Sequence, residues 1–456
     1  MHLLIVFSLI LISRVLNLLA FQEPSFHPDS SGYSSSKIFD FSLVSLTGNS
    51  IRSWPTPLLF ALMPSSTAKI VVQMLISILV WTHLSYALLK IFKFNQIKNL
   101  LVIILVICST NPILLQWETT LLGQSLLISN VIFLVALSVQ LKFHFSKLLA
   151  FLSVLGCVLL FLQKSNNIFL SLFFFLYFAH IILRSSSRAF TFKLVSLFIM
   201  LFLYSTVVNI NINKSWGSIT YSGYASLYHL GAQSPAAPEL TQFLVAKAKV
   251  PECILRNSPY LDVGKSIQDI SLLCPESHTY VSQELRIDLL QFYLSNPSSL
   301  FELVSIGFGA SFSSTAAHYG KVLGIFPASA YELFNGSTSP DFRILGNSTQ
   351  VEALNQVDTG EPIWIYSPAL LLTIVSLLLF LYRLYKRNNL KYEGLFTALI
   401  ITFLSNSALT FLLVPSEWVR LSMPNITIIT LLSLVHIAYV IETTKIEFKI
   451  DRLKSK

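Results

Sequence analysis

The chain has 456 residues, of which 54% are hydrophobic and 12% are charged, and its mean hydropathy is +0.67. Soluble globular proteins carry roughly 25% charged residues, so the composition indicates a membrane protein and excludes a disordered chain, a collagen-like fibre and a disulfide miniprotein. The net charge of +9 would suggest nucleic-acid binding in a soluble protein. Here the basic residues follow the predicted membrane topology, so we expect no nucleic-acid partner.

Apolar runs of about 20 residues are long enough to cross a bilayer as α-helices. Taken in chain order, these runs predict an all-α polytopic membrane protein with about ten transmembrane helices. The first run lacks a basic start and is interrupted by Arg14, so we interpret it as a retained helix rather than a secretory signal. The predicted spans are 2–20, 68–90, 99–115, 120–141, 147–163, 167–184, 189–209, 365–385, 393–414 and 424–441.

The basic residues predict the direction of the spans, because Lys and Arg in short loops stay on the cytoplasmic side. With both termini cytoplasmic, every loop satisfies this rule. The cytoplasmic segments then hold seventeen of the 31 basic residues but four of the 22 acidic residues. The seventeen are Lys90, Lys93, Lys98, Lys142, Lys147, Arg184, Arg188, Lys193, Arg383, Lys386, Arg387, Lys391, Lys445, Lys449, Arg452, Lys454 and Lys456.

Two segments between the spans are predicted to lie outside. The first, 21–67, is rich in Ser and Pro and is too long for a simple connection. The second, 210–364, is large enough for a folded extracytoplasmic domain of mixed or helical structure. It separates an N-terminal membrane module, 1–209, from a C-terminal module, 365–456, with a basic tail. Within it, amphipathic stretches occur near 239–249 and 281–294, and an apolar stretch near 298–313 suits a helix at the membrane interface.

The four cysteines divide into two pairs by location. Cys108 and Cys157 fall within predicted spans, where a small buried apolar residue is the ordinary interpretation. Cys253 and Cys274 fall in the predicted outside domain, where oxidation is permitted. We predict a structural disulfide between them, which would close a loop of about 20 residues and add roughly 3 kcal/mol.

One acidic residue stands out in the first outside segment. Asp29 follows a Pro and precedes Ser-Ser-Gly-Tyr33, which predicts a turn just beyond the first span. An ionised carboxylate there can accept a proton from a hydroxyl group. The alternative is that Asp29 caps a helix, since Asp and Ser are both good N-cap residues.

Several short motifs in order resemble the GT-C glycosyltransferases, integral membrane enzymes that use polyprenyl-phosphate sugars and include protein O-mannosyltransferases and lipid A aminoarabinose transferases. The first motif is a span with Arg14, followed by Asp29-Ser-Ser-Gly-Tyr33 and by Arg52-Ser-Trp-Pro-Thr-Pro57. Trp117-Glu118 through Gln124-Ser125 resembles the segment that opens the fourth span of that family. Glu417-Trp-Val-Arg420-Leu-Ser-Met-Pro424 resembles the segment before its last helix.

The resemblance implies that Asp29 is the general base of an inverting transfer from the lipid phosphate to an acceptor hydroxyl of a glycan, lipid or protein. The departing phosphate needs a cation, for which Arg420 is the first candidate and Arg52 the second. An ordinary headgroup anchor is the alternative for both. Membrane lipids and the polyprenyl-phosphate donor are the expected partners.

A further set of residues is expected at the donor or acceptor pocket. These are Tyr33, Trp117, Glu118, Gln124 and Lys164. The alternatives are an interfacial aromatic belt for Trp117 and a lysine that reaches to the interface for Lys164. Arg14 is expected to face an internal partner or cavity, because an ionisable residue within a span is costly, unless it lies near the outer leaflet.

The sequence departs from the family pattern at two places that bear on metal binding. Ser30 stands where a second acid is common, and Gln124 stands where Glu is common. No metal site is therefore predicted, and no cofactor is firmly implied. A divalent cation held by Asp29 with Asp40 or Glu118 is left open.

Two other functions compete with a plasma-membrane transferase. A transporter or flippase for lipid-linked saccharides should show paired repeats and broken helices near the bilayer centre. We find no convincing repeat, and charged residues are scarce in the spans. The second alternative is an inactive family member that serves as an assembly partner, which the residues at Ser30 and Gln124 would fit.

Overall fold

A computed structural model describes residues 1–20, 46–47, 53–163, 167–215, 237–246, 284–301, 368–386, 392–413 and 418–454. Within these ranges the chain is almost entirely helical and contains no strand. The helices described are α1 His2–Ala20, α2 Pro55–Ala61, α3 Ser66–Leu89, α4 Asn95–Ser109, α5 Pro112–Thr119, α6 Gln124–Phe143, α7 Lys147–Gln163, α8 Ile168–Ser185, α9 Arg188–Ser215, α10 Ala237–Ala246, α11 Leu285–Ser295, α12 Pro368–Tyr385, α13 Glu393–Leu413 and α14 Trp418–Lys454.

Six helices of the described chain are long and apolar enough to cross a membrane. They are α1, α3, α6, α8, α9 and the part of α14 from Asn425 to Lys445. The apolar parts of α4, α7, α12 and α13 are shorter, at 10–17 residues. The protein is therefore a multi-pass helical membrane protein. Each of the ten predicted spans coincides with one of these helices, but that all ten cross the bilayer stays a prediction.

One predicted span ends earlier than expected. The apolar run was predicted to continue to residue 115, but α4 ends at Ser109 and a separate short helix, α5, begins at Pro112. Proline has no N–H group to continue the helical hydrogen bonds, and it disfavours a helical conformation at the residue before it, which is Asn111. The Asn111-Pro112 break therefore frees α5 to turn away from the axis of α4.

The described helices form a bundle around one continuous apolar core. In its N-terminal part α3 packs against α6, and α7 packs against α6, α8 and α9. In its C-terminal part α14 packs against α12 and α13 and also contacts α4. The two parts are joined by α8, which contacts α13, and the Phe174 and Phe403 rings meet edge to face there. Cys108 and Cys157 are buried in this core, as predicted.

Contacts between helix ends bring the short connections with the basic residues to one end of the bundle, which we call the basic end. Two contacts tie helices together there. His2 bonds Asn99, with 2.8 Å between Nε2 and Oδ1, which joins the starts of α1 and α4. Glu442 Oε1 accepts hydrogen bonds from the backbone N–H groups of Lys93 and Phe94, at 2.6 and 2.7 Å, just before α4. The positions of Lys and Arg in the sequence predict this grouping of the basic connections at one end.

The predicted outside domain is described only in part. The amphipathic stretch near 239–249 overlaps α10, and the one near 281–294 overlaps α11. They pack together through the rings of Phe243 and Phe292, whose centroids are 5.4 Å apart. Of the predicted interfacial helix near 298–313, only residues up to 301 are described, and they are helical. The domain boundaries at 210 and 364 stay a prediction.

A glycine sets the close approach of two helices in this bundle. A Cβ atom added to Gly156 in α7 would stand 2.8 Å from Leu134 Cδ2 in α6, whereas one added to Gly394 in α13 would meet nothing within 4 Å. Asn130 Nδ2 also donates to Gly156 O across the same contact, at 3.0 Å.

We expect Gly156→Ala to lower the melting temperature of the detergent-solubilised protein, because overpacking a filled core costs about 1–3 kcal/mol. Gly394→Ala is the matched control and should keep or raise the melting temperature, since alanine is favoured over glycine in a helix by about 1 kcal/mol. Equal melting temperatures for the two variants would contradict the close approach.

Candidate functional site

The centre of the candidate site is a buried ion pair between Arg14 of α1 and Glu118 of α5. Arg14 Nη2 donates to Glu118 Oε1 at 2.8 Å, and Arg14 Nε donates to Glu118 Oε2 at 3.1 Å. Arg14 is 1% exposed and Glu118 is 3% exposed. A two-point Arg–carboxylate contact fixes both position and orientation. The structure therefore gives Arg14 the internal partner that its place within a span requires.

Polar side chains from α3 complete the surroundings of this pair. Ser77 Oγ donates to Glu118 Oε1 at 2.5 Å and accepts from Arg14 Nη2 at 3.3 Å. One turn earlier, Gln73 Nε2 donates to the backbone carbonyls of Glu118 and Thr120, at 3.3 and 3.1 Å. Residues four apart lie on one face of a helix, so Gln73 and Ser77 meet α5 together.

A second contact fixes α1 against α5 one turn beyond the ion pair. Asn17 Nδ2 donates to the carbonyl oxygen of Leu115 at 3.0 Å. Arg14 and Asn17 are three residues apart and therefore share a helix face. Together they hold the last turns of α1, from which the chain continues toward Asp29.

The electrostatic balance at Glu118 depends on Arg14. Burial raises the pKa of the Glu118 carboxyl, and the charge of Arg14, with hydrogen bonds from Arg14 and Ser77, acts in the opposite direction. A carboxylate without such partners in this environment would take up a proton instead of staying charged. Burial is the larger effect, so the pKa of Glu118 is raised overall, and Arg14 limits that rise.

A small cavity adjoins the ion pair between α3, α5 and α6. Its volume is about 10 Å³, which is close to the space that one water molecule needs. Its polar lining consists of Ser77, Glu118, Ser125 and Ser129, and Trp81 is among its apolar walls. Within the described chain, Ser125 Oγ is buried and has no hydrogen-bond partner. The cavity suits a small polar molecule and is much smaller than a sugar ring.

Only part of the predicted pocket lies in the described chain. Trp117 and Gln124 are buried beside Glu118, at 2% and 4% exposure. A direct contact of these three residues with donor or acceptor stays a prediction, since the described structure encloses them. Arg420 lies in α14, but its side chain is outside the description. The predicted site and disulfide residues outside the described ranges are Asp29, Tyr33, Arg52, Lys164, Cys253 and Cys274.

Metal binding is not supported by the described residues. They contain no group of three His, Cys, Asp or Glu side chains that could hold a metal ion. Asp29 and Asp40, which the sequence left open as ligands, lie outside the described ranges. Glu118 is the remaining candidate ligand, and its carboxylate is already bound to Arg14.

A second buried ion pair lies at the basic end, in the C-terminal module. Arg383 of α12 contacts Glu393 of α13, with 3.2 Å between Nη2 and Oε1. Arg383 Nη2 also donates to Thr443 Oγ1 at 3.4 Å, which adds α14 to the contact. This pair is as buried as the first one and lies at the opposite end of the bundle, so it offers a matched comparison.

Sequence reasoning identified Arg14 and Glu118 separately but did not pair them. It also missed Asn17, Gln73 and Ser77, which hold the pair in place. A signal was present, because Arg14 with Asn17 and Gln73 with Ser77 repeat at three and four residues in otherwise apolar runs. Such spacing marks a polar face on each helix.

No protein family, curated protein or solved structure matches the chain. The resemblance to the GT-C glycosyltransferases therefore rests on the sequence motifs, two of which the Arg14–Glu118 pair brings into contact.

Breaking this pair on one side should be strongly destabilising, because a buried charge left without its partner costs about 3–5 kcal/mol. We expect Arg14→Met to lower the melting temperature markedly. Glu118 would then hold a proton in the folded protein and release it on unfolding, so the melting temperature of this variant should fall as pH rises from about 5 to 8.

The double variant Arg14→Met/Glu118→Leu should recover most of the lost stability, since apolar replacement of a buried ion pair is often neutral. Arg383→Met, alone and with Glu393→Leu, provides the comparison at the other pair. Thermal unfolding in detergent measures all four variants. An Arg14→Met variant as stable as the wild type would show that the pair does not form.

Two serines beside Glu118 form a matched test of the hydrogen-bond pattern. Ser77→Ala removes a donor to a charged acceptor and should cost about 1.5–3 kcal/mol. Ser125→Ala should change stability by less than about 0.5 kcal/mol, because Ser125 Oγ has no partner in the described chain. Thermal unfolding of both variants checks the difference, and a larger loss for Ser125→Ala would reverse the assignment.

Proposed function

We propose that the protein is an integral-membrane glycosyltransferase with about ten membrane-spanning helices and a GT-C-like fold. It transfers a sugar from a polyprenyl-phosphate carrier to an acceptor hydroxyl on the extracytoplasmic face of the plasma membrane. The observation that carries the proposal is the contact between Arg14 and Glu118. Two sequence elements of the resemblance, far apart in the chain, meet in the fold with Gln124 beside them.

In the proposed reaction Asp29 is the general base. Its carboxylate takes the proton of the acceptor hydroxyl while the hydroxyl oxygen attacks the anomeric carbon of the sugar. The bond between that carbon and the phosphate oxygen breaks, and the electron pair leaves with the polyprenyl phosphate. A single base suffices because the phosphate leaves without needing a strong acid. Attack opposite the leaving group inverts the anomeric centre.

Negative charge grows on the phosphate as this bond breaks, and a guanidinium group stabilises it. Arg420 and Arg52 are proposed for this role, since both lie near the predicted outer ends of spans. Arg14 is a different kind of arginine, because its guanidinium is enclosed and bound to Glu118. It is therefore assigned to positioning and not to the donor phosphate.

The ion pair supports the reaction by fixing the framework next to Asp29. Nine residues separate Asp29 from the end of α1 at Ala20, so the base lies within about 30 Å of that end. Because Arg14 and Asn17 hold the last turns of α1 on α5, the segment with Asp29 starts from a fixed point.

Ion-coupled transport is less well supported by the described carboxylates. A proton-coupled or sodium-coupled carrier needs an acid that changes its charge state during the cycle. Glu118 is bound by Arg14, Glu393 is bound by Arg383, and Glu442 accepts two backbone N–H groups. Each carboxylate is thus already engaged, which favours the transferase over a coupled transporter.

The proposal is tested by transfer of radiolabelled sugar from a panel of polyprenyl-phosphate donors in isolated membranes. Asp29→Asn keeps the shape of the side chain but removes its basicity, so we expect the rate to fall by about 10²-fold to 10⁴-fold. Arg420→Ala should lower it by about 10²-fold to 10³-fold, and Arg52→Ala is measured beside it.

Glu23→Gln is the matched control, since it also replaces a carboxylate by an amide in the same outside segment and should leave the rate within about twofold of wild type. Wild-type activity in Asp29→Asn would place the base elsewhere. If the wild type transfers no sugar but moves a labelled lipid-linked saccharide across reconstituted vesicles, the flippase alternative is correct. If the wild type neither transfers sugar nor moves the lipid-linked saccharide, the result favours the inactive assembly partner.

A further inference from the structure

At the basic end, carboxylates lie close to some of the positively charged residues but not to others. Around α4 and α12 the basic residues have carboxylates close by, since Glu393 pairs with Arg383 and Glu442 binds the backbone at Lys93 and Phe94. The α6–α7 and α8–α9 connections themselves contain no acidic residue. No Asp or Glu occurs between Glu118 and Glu239, a stretch of 120 residues.

Five basic residues form a patch at these two connections, which we call the basic patch. All five side chains are exposed. A ring contact joins the two connections, because Lys147 Nζ at the start of α7 lies 5.7 Å from the centre of the Phe190 ring in α9. Cation–π contacts of this kind hold an ammonium group in place while leaving it charged. The members of the basic patch are Lys142, Lys147, Arg184, Arg188 and Lys193.

Exposed apolar side chains lie next to the basic patch on the same helices. Leu148 in α7 is 65% exposed, Leu183 in α8 is 62% exposed and Phe192 in α9 is 73% exposed. Each is within one residue of a member of the patch. Positive charge directly beside an apolar helix surface matches a molecule with an anionic head and hydrocarbon chains. Inorganic phosphate, nucleic acid or an acidic protein would contact the basic side chains but not the apolar ones.

We propose that the basic patch binds the headgroup of an anionic phospholipid in the leaflet at this end of the bundle. The lipid phosphate lies against Lys147, Arg188 and Lys193, and its acyl chains run along the exposed apolar sides of α7 and α9. Attraction to an anionic membrane surface strengthens binding by roughly fivefold for each Lys or Arg near it. The proposal does not depend on the transferase function.

The test measures lipids retained by the full-length protein, purified in detergent with equal amounts of dioleoylphosphatidylglycerol and dioleoylphosphatidylcholine, by native mass spectrometry. The wild type should retain the anionic lipid in preference to the zwitterionic one. The variant Lys147→Gln/Arg188→Gln/Lys193→Gln should lose at least about tenfold of the anionic lipid, since three attractive charges are gone. Lys147→Arg/Lys193→Arg should retain it, because the charges remain.

The matched control is Lys90→Gln/Lys93→Gln/Lys98→Gln, which removes three charges at the same end, where Glu442 lies close. Its loss should be less than about fivefold, the effect of a single charge. Equal losses in the two triple variants, or no preference of the wild type for the anionic lipid, would overturn the proposal. Displacement of the lipid by millimolar inorganic phosphate would also overturn it, since the site would then bind free phosphate.

A measurement on the wild type covers the case in which the triple variant does not fold. Raising the salt concentration from 0.1 to 0.5 M shortens the range of charge interactions, which is about 10 Å at 0.1 M. Retention of phosphatidylglycerol should then fall by several fold, while retention of phosphatidylcholine should stay unchanged. Retention that is insensitive to salt would contradict a charge-based site.

Discussion

A charged arginine cannot remain in an apolar bundle without a partner, and this constraint organises the N-terminal half of the protein. The cost of removing an ion from water is several kcal/mol even after the protein relaxes. The fold meets this cost at Arg14 with one carboxylate, the Ser77 hydroxyl of a neighbouring helix and the Ser13 hydroxyl of α1 itself. The carboxylate of Glu118 belongs to α5 and the hydroxyl of Ser77 belongs to α3. The hydrogen bonds of the Arg14 side chain therefore join α1, α3 and α5.

The short helix α5 is therefore as important as the longer helices around it. It exists because Asn111-Pro112 ends α4, and it is too short to cross a membrane. Its backbone carbonyls and its acid are what α1 and α3 bind. The proposed transferase requires such an arrangement, because a base at the membrane face has to be held against the carrier lipid by elements that do not shift during the reaction.

The sequence predicts the approximate positions of the apolar helices well, because a run of about 20 apolar residues is a strong signal. It places the basic connections at one end because Lys and Arg in short loops stay on one side of the membrane. It could not pair Arg14 with Glu118, since 104 residues separate them and no local pattern links the two positions. Pro112 and the polar residues Ser109, Thr110 and Asn111 before it mark the break between α4 and α5, but the apolar run that follows led to a single predicted span.

The candidate site is predictable in outline and not in detail. The polar residues of the Trp117–Ser125 segment indicate a polar site at a membrane face. The same residues fit either an open binding pocket or a closed hydrogen-bond network. Burial decides between these, and burial depends on how α1, α3 and α6 pack around α5. Such packing arises from many weak apolar contacts, which leave no local pattern in the sequence.

The contact between Glu442 and the backbone before α4 has a consequence for how the chain is made. The two partners are separated by more than three quarters of the sequence, and Glu442 belongs to α14, which is synthesised long after α4. Until α14 inserts, this carboxylate is not available to the N–H groups of Lys93 and Phe94. The early spans therefore reach their final packing only after α14 has been made, and a chain truncated before α14 would leave these two N–H groups without Glu442.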